Sequence, residues 1–156
     1  MPRVYDVAFD PTVAITAAQD LAEIKGVAGK MLRILRVSAG EPETALPTAQ
    51  SLSFRCRVLP ATVTDGSGGT TPTPAKNDQG DVAASFSAFL NNTTKATTSG
   101  TAQVIETAGS RIESPYDVTF PRPPTVMVNQ AFVFELVNAP TGTIKLAGVV
   151  TVEEWG

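Results

Sequence analysis

The chain contains no histidine and a single cysteine, Cys56. Without imidazole it has no side chain that ordinarily titrates near neutrality and no His-based metal site, and one thiol makes neither a Cys cluster nor an internal disulfide. Charge is scarce as well. Asp, Glu, Lys and Arg make up 17% of the 156 residues, against roughly 25% in an ordinary globular chain. Twelve basic residues oppose fifteen acidic ones, for a net charge of -3 and a pI near 4.9. No global field pulls such a chain toward phosphate backbones, so no nucleic acid is expected as a partner. Apolar runs never approach the roughly 18 residues that a membrane helix needs, and MPRVYDVAFD lacks the apolar core of an export signal. The expectation is a soluble protein made in the cytoplasm, with no membrane partner, where a lone thiol stays reduced.

What is abundant points to strands. There are 20 Thr and 17 Val beside 12 Gly and 12 Pro, β-branched residues that suit a pleated surface and turn formers that punctuate it. The hydrophobic share of 42% is too high for a disordered acidic or basic tail, and a chain of this length can bury one self-standing core. No internal repeat or linker divides it. Residues 1–156 read as one domain.

SLSFRCRV carries the clearest pattern: Leu52, Phe54, Cys56 and Val58 face one way, Ser51, Ser53, Arg55 and Arg57 the other, a strict period of two. That predicts a core face with an inert, buried thiol and a wet face of solvated arginines. The same solvated reading applies to Lys30, Arg33 and Arg36 in KMLRILR. Other extended segments are predicted at Arg3 to Phe9, within TVAITAAQDLAEI, along MLRILRVS, in AASFSAFLNN with Phe86, Ala88 and Leu90 inward, and at TAQVIET. RIESPYDVTFPRPP is interrupted by Pro115 and ended by Pro121, Pro123 and Pro124, so any strand there must lie at an edge or bend. Between Thr64 and Asp81 almost no apolar side chain occurs, which predicts a long exposed loop.

AFVFELVN and TIKLAGVVTV are joined by APTG, a combination that predicts a β-hairpin. On the last run Ile144, Leu146, Val150 and Val152 share a face, with Gly148 placed for a bulge or a close backbone approach. Trp155, one residue from the last, is expected either to cap the core or to be buried by a neighbouring subunit. About eight to ten short strands with this punctuation predict an all-β, single-domain antiparallel β-sandwich, jelly-roll-like.

Familiar chemical motifs do not complete themselves. Gly26-Val27-Ala28-Gly29-Lys30 lacks phosphate-loop spacing and has Met31 where a hydroxyl should follow. The glycines of DGSGG have no strand-loop-helix context for holding phosphate. Asn77, Asp78 and Asp81 offer oxygen ligands, but without the bidentate Glu of an EF-hand. Asp10, Asp20, Glu153 and Glu154 are read as solvated acids and not as a glycosidase pair. Asn91 and Asn92 both open Asn-x-Thr triplets, read as a Thr-rich turn. Serines have no GxSxG elbow and no His to act as base. No catalytic, cofactor-binding or metal-binding residues are nominated, and no enzyme activity is expected.

The order of segments carries a resemblance. ITAAQDLAEI, then MLRILRVSAGE, the alternating SFRCRVLP, a Gly-rich loop with TPTP, an NNTT turn and a closing run ending in VTVEEWG together resemble small proteins encoded in tailed-phage genomes. The likeness spans nearly the whole chain. Such proteins are similar to jelly-roll virion components that decorate or cement capsids. The resemblance implies a structural role on the capsid surface of a virion, with the major capsid protein as partner, self-association as a homotrimer, and no catalytic residues. The rival reading is a receptor- or carbohydrate-binding β-sandwich of a head fibre or tail. Its sugar-stacking aromatics would have to come from Tyr5, Tyr116 and Trp155.

Overall fold

The computed structural model describes residues 1–42 and 48–156. Among them run thirteen strands: β1 (Arg3–Ala8), β2 (Gln19–Lys25), β3 (Met31–Gly40), β4 (Ser51–Leu59), β5 (Val63–Thr64), β6 (Ala75–Lys76), β7 (Ser87–Asn92), β8 (Thr97–Thr98), β9 (Gln103–Arg111), β10 (Tyr116–Thr119), β11 (Thr125–Val126), β12 (Ala131–Leu136) and β13 (Ala147–Trp155). The described residues contain no helix. The fold is an all-β antiparallel sandwich.

Strand order makes it jelly-roll-like. One sheet runs β10-β3-β13-β1-β6, with β11 also on β3; the other runs β7-β2-β12-β4-β9. Taking the long strands in sequence, first pairs with last (β1 with β13), second with next-to-last (β2 with β12), and so inward through β3 with β10 to β4 with β9. That is one long hairpin rolled over on itself, so its two halves become two facing sheets.

Alternation decides which side chains fill the space between the sheets. Leu52, Phe54, Cys56 and Val58 on β4 are buried, as are Leu32, Ile34, Val37 and Ala39 on β3 and Val150 and Val152 on β13. At the centre Phe134 stacks on Phe54, Tyr116 and Phe9, with ring centroids 5.3, 5.4 and 6.2 Å apart. Such ring pairs each add about 0.5–1.5 kcal/mol beyond the area they bury. Gly148 lies where an added Cβ would stand 2.0 Å from Ser38 O, so β13 and β3 approach closely there. The ladder irregularity falls further on, between Thr151 and Val152.

The expected hairpin between AFVFELVN and TIKLAGVVTV does not form. β12 is central in one sheet, between β2 and β4, whereas β13 is central in the other, between β1 and β3. Both runs are apolar enough to need neighbours on each side, which two strands turning back on one another at an edge would not supply. Residues 137–146 therefore cross between the sheets, held midway by Ile15 and Ile144, whose backbones exchange bonds of 2.8 and 3.0 Å.

The segment from Thr64 to Asp81 shows mostly exposed side chains, but its backbone is pinned along two sheet edges. Thr70 exchanges backbone bonds with Leu90 on β7, and further on β6 pairs with Tyr5 and Asp6 of β1. Gly69 permits the first contact, because an added Cβ would lie 1.9 Å from Leu90 O. β10 lies at an edge, one of the two placements its prolines allow.

Candidate functional site

The outer face of the second sheet departs most from the sequence reading. Arg55 and Arg57, expected to be solvated, lie in a layer covered by residues 60–70 and 93–102, where β5 and β8 pair as a small flap. Beneath the flap Leu59, Val63, Ala96, Ala131 and Val133 form a second apolar cluster. Next to it runs a charged row, because register places Asn92, Asp20, Glu135, Arg55 and Thr107 side by side across five strands.

Glu135, fully buried, holds that row together. Arg55 donates to its Oε1 from Nη2 at 2.5 Å and Nε at 3.0 Å, Arg57 Nη2 lies 2.6 Å from its Oε2, and Lys95 Nζ approaches within 3.7 Å. Asp20 Oδ2 accepts the Ala96 N–H at 2.7 Å, and burial, its largest influence, raises its pKa. Glu23 Oε2 accepts from Gly66 N at 3.0 Å and Asn92 Nδ2 at 3.2 Å, while its Oε1 has no partner. Desolvation pushes the Glu23 carboxyl up to about 7. Lys25 closes the rim by pairing with Asp65 at 2.5 Å. These groups fasten the covering segment to the sheet.

Two of the acids read as solvated are therefore buried. Asp20 lies in this layer, and Glu154 accepts from Ser85 N at 3.0 Å and Ser85 Oγ at 2.7 Å. The reason is shared: each satisfies backbone N–H groups of a segment laid over a sheet that would otherwise leave them unpaired. Asp10 caps a turn, accepting from Thr12 N and Oγ1, and its side-chain bond to Thr12 lowers its pKa. Glu153 accepts from Arg33 at 3.0 Å and from the Trp155 indole at 2.6 Å. Arg36 forms a two-armed bond with Asp117, at 2.8 and 2.6 Å, which holds that carboxyl below its usual range. Neither basic cluster is simply solvated.

The remaining nominated positions have plain structural roles. Cys56 is buried 3.7 Å from Tyr116 Oη, and desolvation raises its thiol to about 12. Gly26 to Lys30 form the turn from β2 to β3, with Gly29 at φ 75°. Asp78 accepts from Gly80 N, and Asp81 pairs with Arg3; among the described residues no group of three or more His, Cys, Asp or Glu converges as metal ligands would. Asn91 and Asn92 end β7 and are buried, with Asn91 at φ 56°.

Glu23, Glu135 and Lys95 were missed, although one signal was present. AFVFEL is buried at every position, and a carboxylate inside such a run marks a strand covered on both faces. Large apolar side chains also stay exposed in places. At one end of the sandwich Trp155, Met127 and Val128 are 38%, 46% and 47% exposed. With Val27 and Met31 they line a shallow depression of about 280 Å³. Along one side, Val104 and Ile105 are exposed on β9, the outermost strand of its sheet.

Compared with known protein families, curated proteins and solved structures, the chain matches none.

Proposed function

We propose that the protein is a structural component of a bacteriophage virion, a decoration protein that binds the outer surface of the major capsid shell and stabilises it. The observation that carries this reading is the exposed apolar end formed by Trp155, Met127, Val128 and Met31. Apolar surface at one end of a rigid fold suits burial against a repeated neighbour. The segment order that resembles capsid decorators, together with the jelly-roll-like strand order, supports the same reading. Fold by itself does not choose a function, since one sandwich hosts many.

The rival reading, a sugar-binding module of a head fibre or tail, loses support from the aromatic side chains. Tyr5 and Tyr116 are buried, Tyr5 donating to Val82 O at 3.0 Å, so only Trp155 of the three presents a polar aromatic surface to solvent.

Sedimentation of the purified protein with shells lacking it tests the proposal. Wild-type protein should pellet with shells and raise their thermal rupture temperature. Trp155→Ala, assayed below its own melting temperature because it gives up a partly buried indole and the bond to Glu153, should bind at least tenfold more weakly. Wild-type protein left in the supernatant, with shell stability unchanged, contradicts the reading. Selective retention of Trp155-dependent binding on a glycan array would favour the rival.

A further inference from the structure

Four sheet edges exist in this sandwich, and three are managed. The β1 edge is covered by β6, immediately after Pro72 and Pro74. The β7 edge is bridged by Thr70. The β10 edge is four residues long and lies between Pro115 and Pro121. Short strands, prolines and covering segments are the devices by which sheets avoid pairing with other chains. The fourth edge, β9, has none of them: nine residues long and without proline or lysine, it has no strand on its outer side among the described residues.

The groups this edge offers follow from the ladder. Ile112 donates its N–H to Gln50 O at 3.0 Å, one step beyond the Ser51–Arg111 pair. Alternation along an antiparallel ladder then turns Ser110 and Ala108 toward β4 and points Thr107, Gly109 and Arg111 outward. The far side of β4 agrees, because Ser53, opposite Gly109, uses its carbonyl for Val137 N on the other side. Arg111 O is taken by Ser114 N in a turn. Among the described residues nothing bonds the backbone groups of Thr107 and Gly109. The ladder irregularity lies between Cys56 and Arg57, outside the segment from Thr107 to Arg111.

Gly109 has no reason to be glycine within one chain. An added Cβ would meet nothing nearer than Leu52 O at 3.9 Å, and its backbone is not in the left-handed region. Glycine within a strand weakens it unless something approaches there.

We propose that β9 pairs antiparallel with β9 of a second copy of this chain around a two-fold axis at Ala108. This register uses only the free groups, placing Thr107 opposite Gly109 of the second copy, and the reverse, for about four backbone hydrogen bonds. Side chains match within it. The Thr107 side chain lies over the position that Gly109 leaves empty, Ala108 faces Ala108 of the second copy, and Glu106 stands opposite Ser110 with no like charges opposed. The two five-stranded sheets become continuous, while the apolar end with Trp155 stays free. The pairing does not rest on the capsid reading, and its two-fold symmetry differs from the threefold association implied by the resemblance.

Light scattering across a concentration series, combined with amide hydrogen exchange, tests the pairing. The wild-type mass should reach twice 16.3 kDa, with exchange at Thr107 and Gly109 slowing as concentration rises. Thr107→Pro removes an outward N–H that the single chain does not use, and Thr107→Lys sets an ammonium beside the join. Both should return the mass to that of one chain, with a cooperative melt close to that of wild type diluted to the single chain, because pairing of folded copies itself adds stability; if the proline variant misfolds, the lysine variant decides. A wild-type protein that remains single at the highest concentration overturns the proposal. So does a three-copy assembly, or a pair that Thr107→Lys leaves intact.

Discussion

Replacing Glu23 by Gln removes one negative charge from beneath the segment that covers the second sheet while keeping an oxygen for Gly66 N and Asn92 Nδ2. Glu23 is fully buried, and desolvation outweighs those two donors and the nearby Lys25, while Asp65 and Asp20 push in the same direction as burial. Its carboxyl titrates at about 7 in the folded chain and at the ordinary 4.5 once exposed. Between those values the folded state holds more protons than the unfolded one. The stabilisation is therefore complete below the unfolded value and lost as pH rises through the folded value. At about 1.4 kcal/mol per pH unit, the ionised residue costs the fold about 3 kcal/mol at alkaline pH. The Gln amide nitrogen would replace an oxygen that has no partner, which removes part of the gain and leaves about 1–3 kcal/mol. Thermal and urea melts of both proteins from about pH 4 to pH 8.5 measure the difference. Glu23→Gln should lie between level with wild type and about 2 kcal/mol below it at the acid end, where only the amide cost acts, and melt roughly 3–10 °C higher at the alkaline end. Asp20 also titrates upward, but it is present in both proteins, so the difference isolates Glu23. Parallel pH profiles, or a variant less stable than wild type at pH 8.5, would refute the reasoning.

Other parts of the fold give equally definite outcomes. Glu135→Ala leaves Arg57 and Arg55 without their main anion and should lower stability by about 3–5 kcal/mol in guanidinium melts; a loss below about 1 kcal/mol would show that the charged row is not what holds the covering segment. The Cys56 thiol, raised to about 12 and buried, should react with a thiol reagent only at the rate of unfolding, so fast labelling of the folded protein would contradict its place in the core.

Much of the fold could be read because alternation is a local signal. SLSFRCRV announced its buried face, the prolines around Tyr116–Thr119 an edge or a bend, and Gly148 a bulge or a close approach, of which the contact with Ser38 shows the second. Long-range pairing left no such mark. APTG looks the same between partners in one sheet and between strands of opposite sheets, and only the need of both β12 and β13 for central positions separates the cases. The charged layer was hidden for a related reason. Arg55 and Arg57 alternate as a solvent face would, and nothing within β4 says that residues 60–70 and 93–102 return to cover them. The open edge of β9 is equally invisible in TAQVIET, since an edge is defined by the strand that is not there.

The most direct test of the virion reading is quantitative mass spectrometry of virus particles purified from cultures in which the chain is made, measured against the major capsid protein of those particles. A decoration protein should be present in a fixed, high ratio to the capsid subunit and fall in step when shells are stripped of it. Absence from the particles, or a few copies that follow the tail, would contradict the account.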